Sequence, residues 1–254
     1  MQILLSNDDG IHATGIQSLY HTLKEKHKVT AIAPHTERST TGHSLSLDHP
    51  LRFNRYHPKE ELYACTGYPA DCVLVGIGHH LKDSRPDLVI SGINRGANLG
   101  QDTYYSGTVA AAREAAFHGI SSIAVSLVLD QSSYHNYETA SQVIEYLVDS
   151  QVHQMIPQFS LININVPNCS YDKVKGIKKT KVGFRHYSEQ IDNRIDSRQR
   201  SYFWVGGLLE GFMNFNGESD SEAVAEQYVS ITPMPLIESV PVDFTSLEQW
   251  IHKL

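Results

Sequence analysis

The chain has 254 residues, 41 % of them hydrophobic and 19 % charged. That is enough apolar material for one sizeable α/β core, and it excludes global disorder. The formal charge of −7 argues against nonspecific binding to DNA or to an anionic membrane, while a local pocket can still take a small anion.

No apolar run reaches the roughly 20 residues that span a bilayer. The opening Met1-Gln2-Ile3-Leu4-Leu5 lacks the basic start of a secretory signal and reaches Asp8 too soon. Cys65, Cys72 and Cys169 form neither a Cys-x-x-Cys motif nor a zinc set. They are expected to be reduced and part of the core, in a cytoplasmic protein.

In chain order, Ile3 to Ser6 is short, apolar and stopped by Asn7-Asp8-Asp9-Gly10, which predicts a buried strand ending in a turn. Gly15 to Lys26 places Ile16, Leu19, Tyr20 and Leu23 at helical spacing. Val29 to Ala33 is a second apolar run, closed by Pro34. Strand, helix and strand in that order predict a right-handed parallel crossover. Leu88 to Ile90 repeats the first pattern before Ser91-Gly92-Ile93-Asn94, and an alanine-rich helix follows from about Thr108 to His118, closed by Gly119. Ile120 to Leu127 and Leu161 to Val166 read as strands, with a helix over Tyr137 to Leu147 between them. The predicted class is α/β, a mostly parallel sheet flanked by helices.

From Ser170 to about Ser230 the helical period fades. Thr180 to Arg185 and Tyr202 to Val205 read as exposed or paired strands, and Gly206-Gly207 as a turn. The stretch of about 171–227 is therefore expected to be an extended β-hairpin arm, outside a core of about 1–170 and 228–254. An arm with too little apolar pattern for its own core is stable when paired with another subunit, so at least a dimer is expected. Val229 to Ile231 returns to the sheet before Pro233, and Thr245 caps a predicted final helix carrying Leu247, Trp250 and Ile251.

Three loops follow predicted strands, and open parallel sheets gather ligands at the carboxyl ends of their strands. The first carries Asp8 and Asp9. Adjacent carboxylates repel unless a cation sits between them, and hard oxygen ligands favour Mg²⁺ or Mn²⁺ over zinc. Asp-Gly is also a common turn dipeptide that needs no ligand. The second loop runs from Glu37 to Ser44; taken alone it reads as a polar surface turn. The third runs from Ser91 through Asn94, Asn98, Gly100 and Asp102 to Tyr105-Ser106-Gly107-Thr108. Its glycines and asparagines permit close ligand approach. Ser106-Gly107-Thr108 opens the alanine-rich helix, whose free N–H groups and dipole suit an anion. Ordinary N-capping by Ser106 or Thr108 is the plainer alternative.

Two carboxylates and a divalent cation roughly cancel, and the helix terminus can offset the charge of a phosphate monoester. The set suits phosphoryl transfer to water. A non-catalytic nucleotide-binding module is the alternative from another class, and a covalent phosphatase with Asp8 as nucleophile is the nearest enzyme rival.

These residues closely resemble the stationary-phase survival protein SurE family. The match runs in order through Ser6-Asn7-Asp8-Asp9-Gly10-Ile11, Ala33-Pro34, Arg38-Ser39, Thr66-Gly67-Tyr68-Pro69-Ala70-Asp71-Cys72, the long third loop up to Val109, and Val229-Ser230-Ile231-Thr232-Pro233. The resemblance implies a Rossmann-like core, a C-terminal arm exchanged between subunits, and a homodimer or homotetramer. It implies hydrolysis of nucleoside 5′- and 3′-monophosphates with one divalent metal ion per subunit, Mg²⁺ or Mn²⁺, and polyphosphate cleavage as a side activity. Carried over by motif, Asp8, Asp9, Ser39 and Asn94 are the implied metal ligands, with Asp8 and Asp9 the catalytic pair. Asn98, Ser106, Gly107 and Thr108 are the implied phosphate contacts, and Thr108 is expected to give its hydroxyl as well as its N–H. The chain departs from the family pattern at Thr14, where proline is usual, at Thr40, where glycine follows the serine, and at Ala115, where the helix usually has glycine.

Overall fold

In the computed structural model, which describes residues 1–130 and 134–236, nine strands make one central sheet. The chain runs β1 (Gln2–Ser6), α1 (Thr14–Leu23), β2 (Lys28–Pro34), β3 (Phe53–Arg55), β4 (Leu62–Cys65), α2 (Pro69–Val75), β5 (Leu88–Arg95) and α3 (Gly107–Phe117). Then follow β6 (Ser121–Val128), α4 (Tyr137–Asp149), β7 (Ser160–Pro167), β8 (Ile177–Lys179) and β9 (Arg185–Tyr187). Last come β10 (Ile191–Ile195), β11 (Ser201–Val205), β12 (Leu209–Phe212), α5 (Asp220–Ala225) and β13 (Val229–Pro235).

The parallel strands lie in the order β4-β2-β1-β5-β6-β7. This is the doubly wound order of a Rossmann sheet, which reverses direction between β1 and β5. β3 closes one edge antiparallel to β4; β13 lies antiparallel to β7 and carries β8 on its outer side.

The expected α/β class follows from how the apolar residues divide. Ile3, Leu5 and Ile90 face Ile16, Leu19 and Leu23 of α1 and Val143, Ile144 and Leu147 of α4. Leu4, Ile32 and Val89, one residue out of phase, face Cys72 and Val73 of α2 and Ala111 and Ala115 of α3. Strands buried on both faces read as continuous apolar runs, as these do. Ala115 is fully buried, so its methyl contributes to the core. Thr14 opens α1 at the first helical position, where a proline would add only stiffness.

The region read as an arm divides. β9 pairs with β12 and β10 with β11, giving one long antiparallel hairpin in two ladders. Its tip is at Asp196, whose carboxylate accepts from the N–H groups of Arg198 and Arg200. Gly206-Gly207, expected as a turn, instead interrupts the ladder between β11 and β12. Ile191, Ile195, Phe203 and Trp204 are exposed along it. β8 joins the main sheet, and α5 packs on β7 and β13.

The strand expected over Thr180 to Arg185 is displaced into β8 and β9 on either side. Between them the Asp220 carboxylate of α5 captures the Gly183 N–H at 3.0 Å, so a side chain replaces a strand partner. The helix expected after Thr245 lies outside the described residues. Among the described residues no helix is long and apolar enough to cross a membrane. Cys65 and Cys72 are buried free thiols, whereas Cys169, just past the end of β7, is only half-buried.

Candidate active site

β1 and β5 are the neighbours at which the strand order reverses, so the loops leaving their ends part and open a crevice. The loop after β1 is shaped by Asn7, whose amide donates to the Gly10 carbonyl at 2.9 Å and accepts from the Gly10 N–H at 3.1 Å. The turn sends the two aspartates to different partners. Asp8, only 4 % exposed, accepts the hydroxyl hydrogen of Thr108. Asp9 accepts from the Arg95 N–H at 2.9 Å.

Burial pushes the Asp8 carboxyl up to about 6, against the pull of the Thr108 hydrogen bond and with the charge of Asp9 adding to the rise. Burial also raises Asp9, opposed by the Arg95 N–H. A pair of this kind gains from a cation, which holds both groups ionised.

The loop after β2 brings Ser39. Its hydroxyl donates to Glu37 Oε1 at 2.5 Å, leaving its lone pairs free. The Arg38 N–H donates to the Asp8 carbonyl at 2.7 Å, which ties this loop to the first. Further along, Gly42 N–H reaches the Tyr105 carbonyl at 2.9 Å and His43 Nε2 meets Glu114 Oε2 of α3 at 2.7 Å. Thr40 holds a left-handed backbone with φ 56°, which accounts for the glycine usual there.

At the end of β5, the Asn94 amide donates to the Gly96 carbonyl at 2.9 Å and keeps its oxygen free for a ligand. At the start of α3, Ser106 caps the helix by accepting from the Val109 N–H at 3.0 Å. Thr108 is fully buried, and its hydroxyl is spent on Asp8. That differs from the outward role expected of it. The helix terminus presses directly on Asp8, and a buried carboxylate needs the nearest donor.

Asp8, Ser39, Asn94, Asn98 and Ser106 thus line one cleft of about 490 Å³, with Asp102, Tyr105 and Tyr187 on its other walls. Asp9 borders a second cleft of about 630 Å³, which shares Ser39 and Arg95 with the first. Gly107 and Thr108 lie behind Asp8. Among the described residues no three of His, Cys, Asp or Glu gather as a metal set. The donors on offer are two carboxylates, one hydroxyl and one amide oxygen. An all-oxygen set fits a hard divalent cation such as Mg²⁺ or Mn²⁺.

The family model described as Survival protein SurE matches residues 3–189. The chain belongs to the SurE family. Over 260 residues it is 42 % identical to the 5′-nucleotidase SurE of Thermosipho africanus, covering 100 % of this chain and 96 % of that protein. Over 254 residues it is 39 % identical to the 5′-nucleotidase SurE of Pseudoalteromonas atlantica, with both chains covered in full. The crystal structure of the SurE protein from Aquifex aeolicus superposes with a TM-score of 0.84 at 35 % identity, covering 100 % of this chain and 99 % of that one.

Other residues of this SurE-family cleft escape a sequence reading. Asp102 Oδ2 accepts from Arg185 Nη1 at 2.5 Å and from the Tyr187 hydroxyl at 2.6 Å, joining the root of the hairpin to the cleft wall. Asn163 and Asn165 hold Asn98 from β7. Their signal was present: two asparagines alternate with isoleucines in Leu161-Ile162-Asn163-Ile164-Asn165-Val166, and polar residues on a covered strand imply buried partners.

Proposed function

We propose that this chain is a 5′-nucleotidase, a phosphohydrolase that transfers the phosphoryl group of a nucleoside monophosphate to water. The observation that carries the reading is Asp8, set against the N-terminus of α3 in a cleft with Ser39 and Asn94, with Asp9 beside it in the adjoining cleft that shares Ser39 and Arg95. Asp8, Asp9, Ser39 and Asn94 would hold one Mg²⁺ or Mn²⁺. When bound, such an ion polarises a phosphoryl oxygen and lowers the pKa of water.

The chain's own residues do the rest. Asn98, Ser106 and the end of α3 at Gly107 receive phosphoryl oxygens through amide, hydroxyl and backbone donors. Thr108 acts through Asp8, which it keeps oriented and favours in its charged form. Asp8 or Asp9 takes a proton from the attacking water. The new bond joins water oxygen to phosphorus, the bond to the nucleoside oxygen breaks, and that oxygen takes a proton from solvent as it leaves, while the aspartate returns its proton to solvent. The exposed rings of Tyr105 and Tyr187 offer the nucleoside an aromatic wall.

The proposal includes 3′-monophosphates and, as a side activity, polyphosphate, which rest on the family resemblance. It also includes a homodimer or homotetramer, supported by the apolar side chains exposed on the β10–β11 ladder. The buried thiols Cys65 and Cys72 fit a reducing, cytoplasmic setting.

The test is phosphate release from AMP, GMP, 3′-AMP and polyphosphate with Mg²⁺, with Mn²⁺ and with EDTA. Release that depends on metal supports the reading; no release across the panel would leave a nucleotide-binding module. Light scattering that finds a folded monomer at micromolar concentration would remove the oligomer.

A further inference from the structure

Asn98 is held by three side chains, which use both of its backbone groups and one of its side-chain hydrogens. Its N–H donates to Asn165 Oδ1 at 2.9 Å. Its carbonyl accepts from Asn165 Nδ2 at 3.0 Å and from Asn163 Nδ2 at 2.8 Å. Its side-chain Nδ2 donates to Ser126 Oγ at 2.8 Å. The amide of Asn165 therefore meets both backbone groups of Asn98, as a neighbouring strand would.

By inventory, an asparagine has three N–H hydrogens and two carbonyl oxygens. These bonds consume the backbone pair and one side-chain hydrogen. What remains is one Nδ2 hydrogen and Oδ1, on a side chain that lines the cleft of Asp8, Ser39 and Asn94. Donation to Ser126 fixes which way the amide faces.

The arrangement is costly as mere packing. Asn163, Asn165 and Ser126 are fully buried. Asn163 Oδ1 has no protein partner, and a leucine in its place would bury no polar oxygen. Register places Asn163 beside Ala124 and Asn165 beside Ser126, so both point to the face of β7 shared with Leu161, which packs with Val109 and Ala112 of α3. Both sites therefore lie on the sheet face that carries the candidate phosphate-binding helix.

We infer that Asn163, Asn165 and Ser126 are positioning residues that aim the remaining N–H of Asn98 at the phosphoryl group. The inference rests on the phosphohydrolase reading of the cleft. Rigid placement of a donor matters because a displacement of about 1 Å can cost a hundredfold in rate.

The experiment compares Asn98→Ala, Asn165→Leu, Ser126→Ala and the double variant Asn98→Ala/Asn165→Leu, with AMP and saturating Mn²⁺. Each single variant is expected to lower kcat about tenfold or more and to weaken inorganic phosphate binding about threefold or more, because the Asn98 donor would meet phosphoryl oxygens both before and during transfer. The double variant should be no slower than Asn98→Ala, since Asn165 acts only through Asn98. A folded Asn165→Leu with wild-type kcat would overturn the inference, and so would losses that multiply in the double variant. A normal Asn98→Ala beside a slow Asn165→Leu would overturn it too. If Asn165→Leu fails to fold, Ser126→Ala, which removes a single oxygen, carries the same cycle.

Calorimetric binding of inorganic phosphate separates the two readings. Wild type that binds phosphate without hydrolysing AMP removes the nucleotidase and leaves the positioning. Equal phosphate affinity in wild type, Asn98→Ala and Ser126→Ala removes the positioning.

Discussion

Gly107 stands against Asp8 so closely that a β-carbon built on it would lie 2.8 Å from Asp8 Cβ and 3.0 Å from Oδ2, with Pro69 Cγ at 3.1 Å. The requirement is for space, not for an unusual backbone angle. In the first turn of α3, alanine would by itself favour the helix by up to about 1 kcal/mol. Gly107→Ala is nonetheless expected to cost about 1–3 kcal/mol through overpacking. It should also lower kcat by about two orders of magnitude as Asp8 is pushed aside. Paired melting curves and phosphate-release rates check both; an active, more stable variant would show that the helix end can retreat freely.

For Asp8 the pH dependence has a definite sign. Its carboxyl rises from the ordinary 3.8 to about 6 in the fold, mainly by burial. The native state therefore holds the proton longer than the unfolded chain. That contribution is complete below pH 3.8 and is lost as pH rises through about 6. At about 1.4 kcal/mol per pKa unit, the loss is roughly 3 kcal/mol in EDTA. Asp8→Asn should flatten this slope and be the more stable protein at pH 8 without metal. With saturating Mn²⁺ the order reverses, because only wild type gains the full binding stabilisation. Denaturation of both proteins from pH 4 to 8, with and without metal, reads the crossing; a variant that unfolds in EDTA would make Asp8 a structural turn residue.

Thr40 sits at φ 56°, where a β-branched residue is strained by about 1–2 kcal/mol. Its hydroxyl donates to the Ser39 carbonyl at 2.8 Å. Thr40→Gly relieves the strain but adds chain entropy to the unfolded state, for a net gain of up to about 1 kcal/mol. Thr40→Val keeps the strain and loses the bond. Urea midpoints are expected to fall in the order glycine, threonine, valine, and a valine variant as stable as wild type would remove the hydroxyl from the account.

Glu114 is the anchor of the Ser39 loop on α3. The hydrogen bond from His43 holds its carboxyl below the usual 4.5, with His118 assisting. A depressed carboxyl contributes stability above its unfolded pKa and loses it as pH falls through the lower folded value. Glu114→Gln should thus cost about 1 kcal/mol at pH 6, and the gap should narrow below pH 4.5. The loosened loop should also raise the Mn²⁺ concentration needed for half-maximal activity. An unchanged metal requirement would confine Glu114 to stability.

The sequence carried the sheet wherever an apolar run met a clear stop. β1 ends at Asn7-Asp8, β2 at Pro34, and α3 is followed by Gly119. β4 and α2 were not legible because Leu62-Tyr63-Ala64-Cys65 and the seven residues from Pro69 are too short to show a period. α5 announced itself only by the capping box of Ser219 and Glu222. The candidate ligands Asp8, Ser39 and Asn94 were reached through motifs, whereas the Ser39 loop alone looked like surface. The partner of Asn165, and the contacts of Asp102 with Arg185 and Tyr187, are not legible because each acts across the chain. Asn98 and Asn165 are 67 positions apart, and Asp102 and Arg185 are 83 apart.

The same separations bear on how the protein is made. Asp8 emerges early from the ribosome, but its hydroxyl donor Thr108 lies 100 residues later. Gly100 waits 120 residues for the Asp220 carboxylate that accepts its N–H at 2.8 Å. Contacts of such long range form late and slowly, after the loops between them have closed. A nascent chain that has completed β1, β2 and β5 therefore carries its acidic loop without its amide clamp. A stalled or truncated product is therefore expected to lack turnover until both of these contacts have formed.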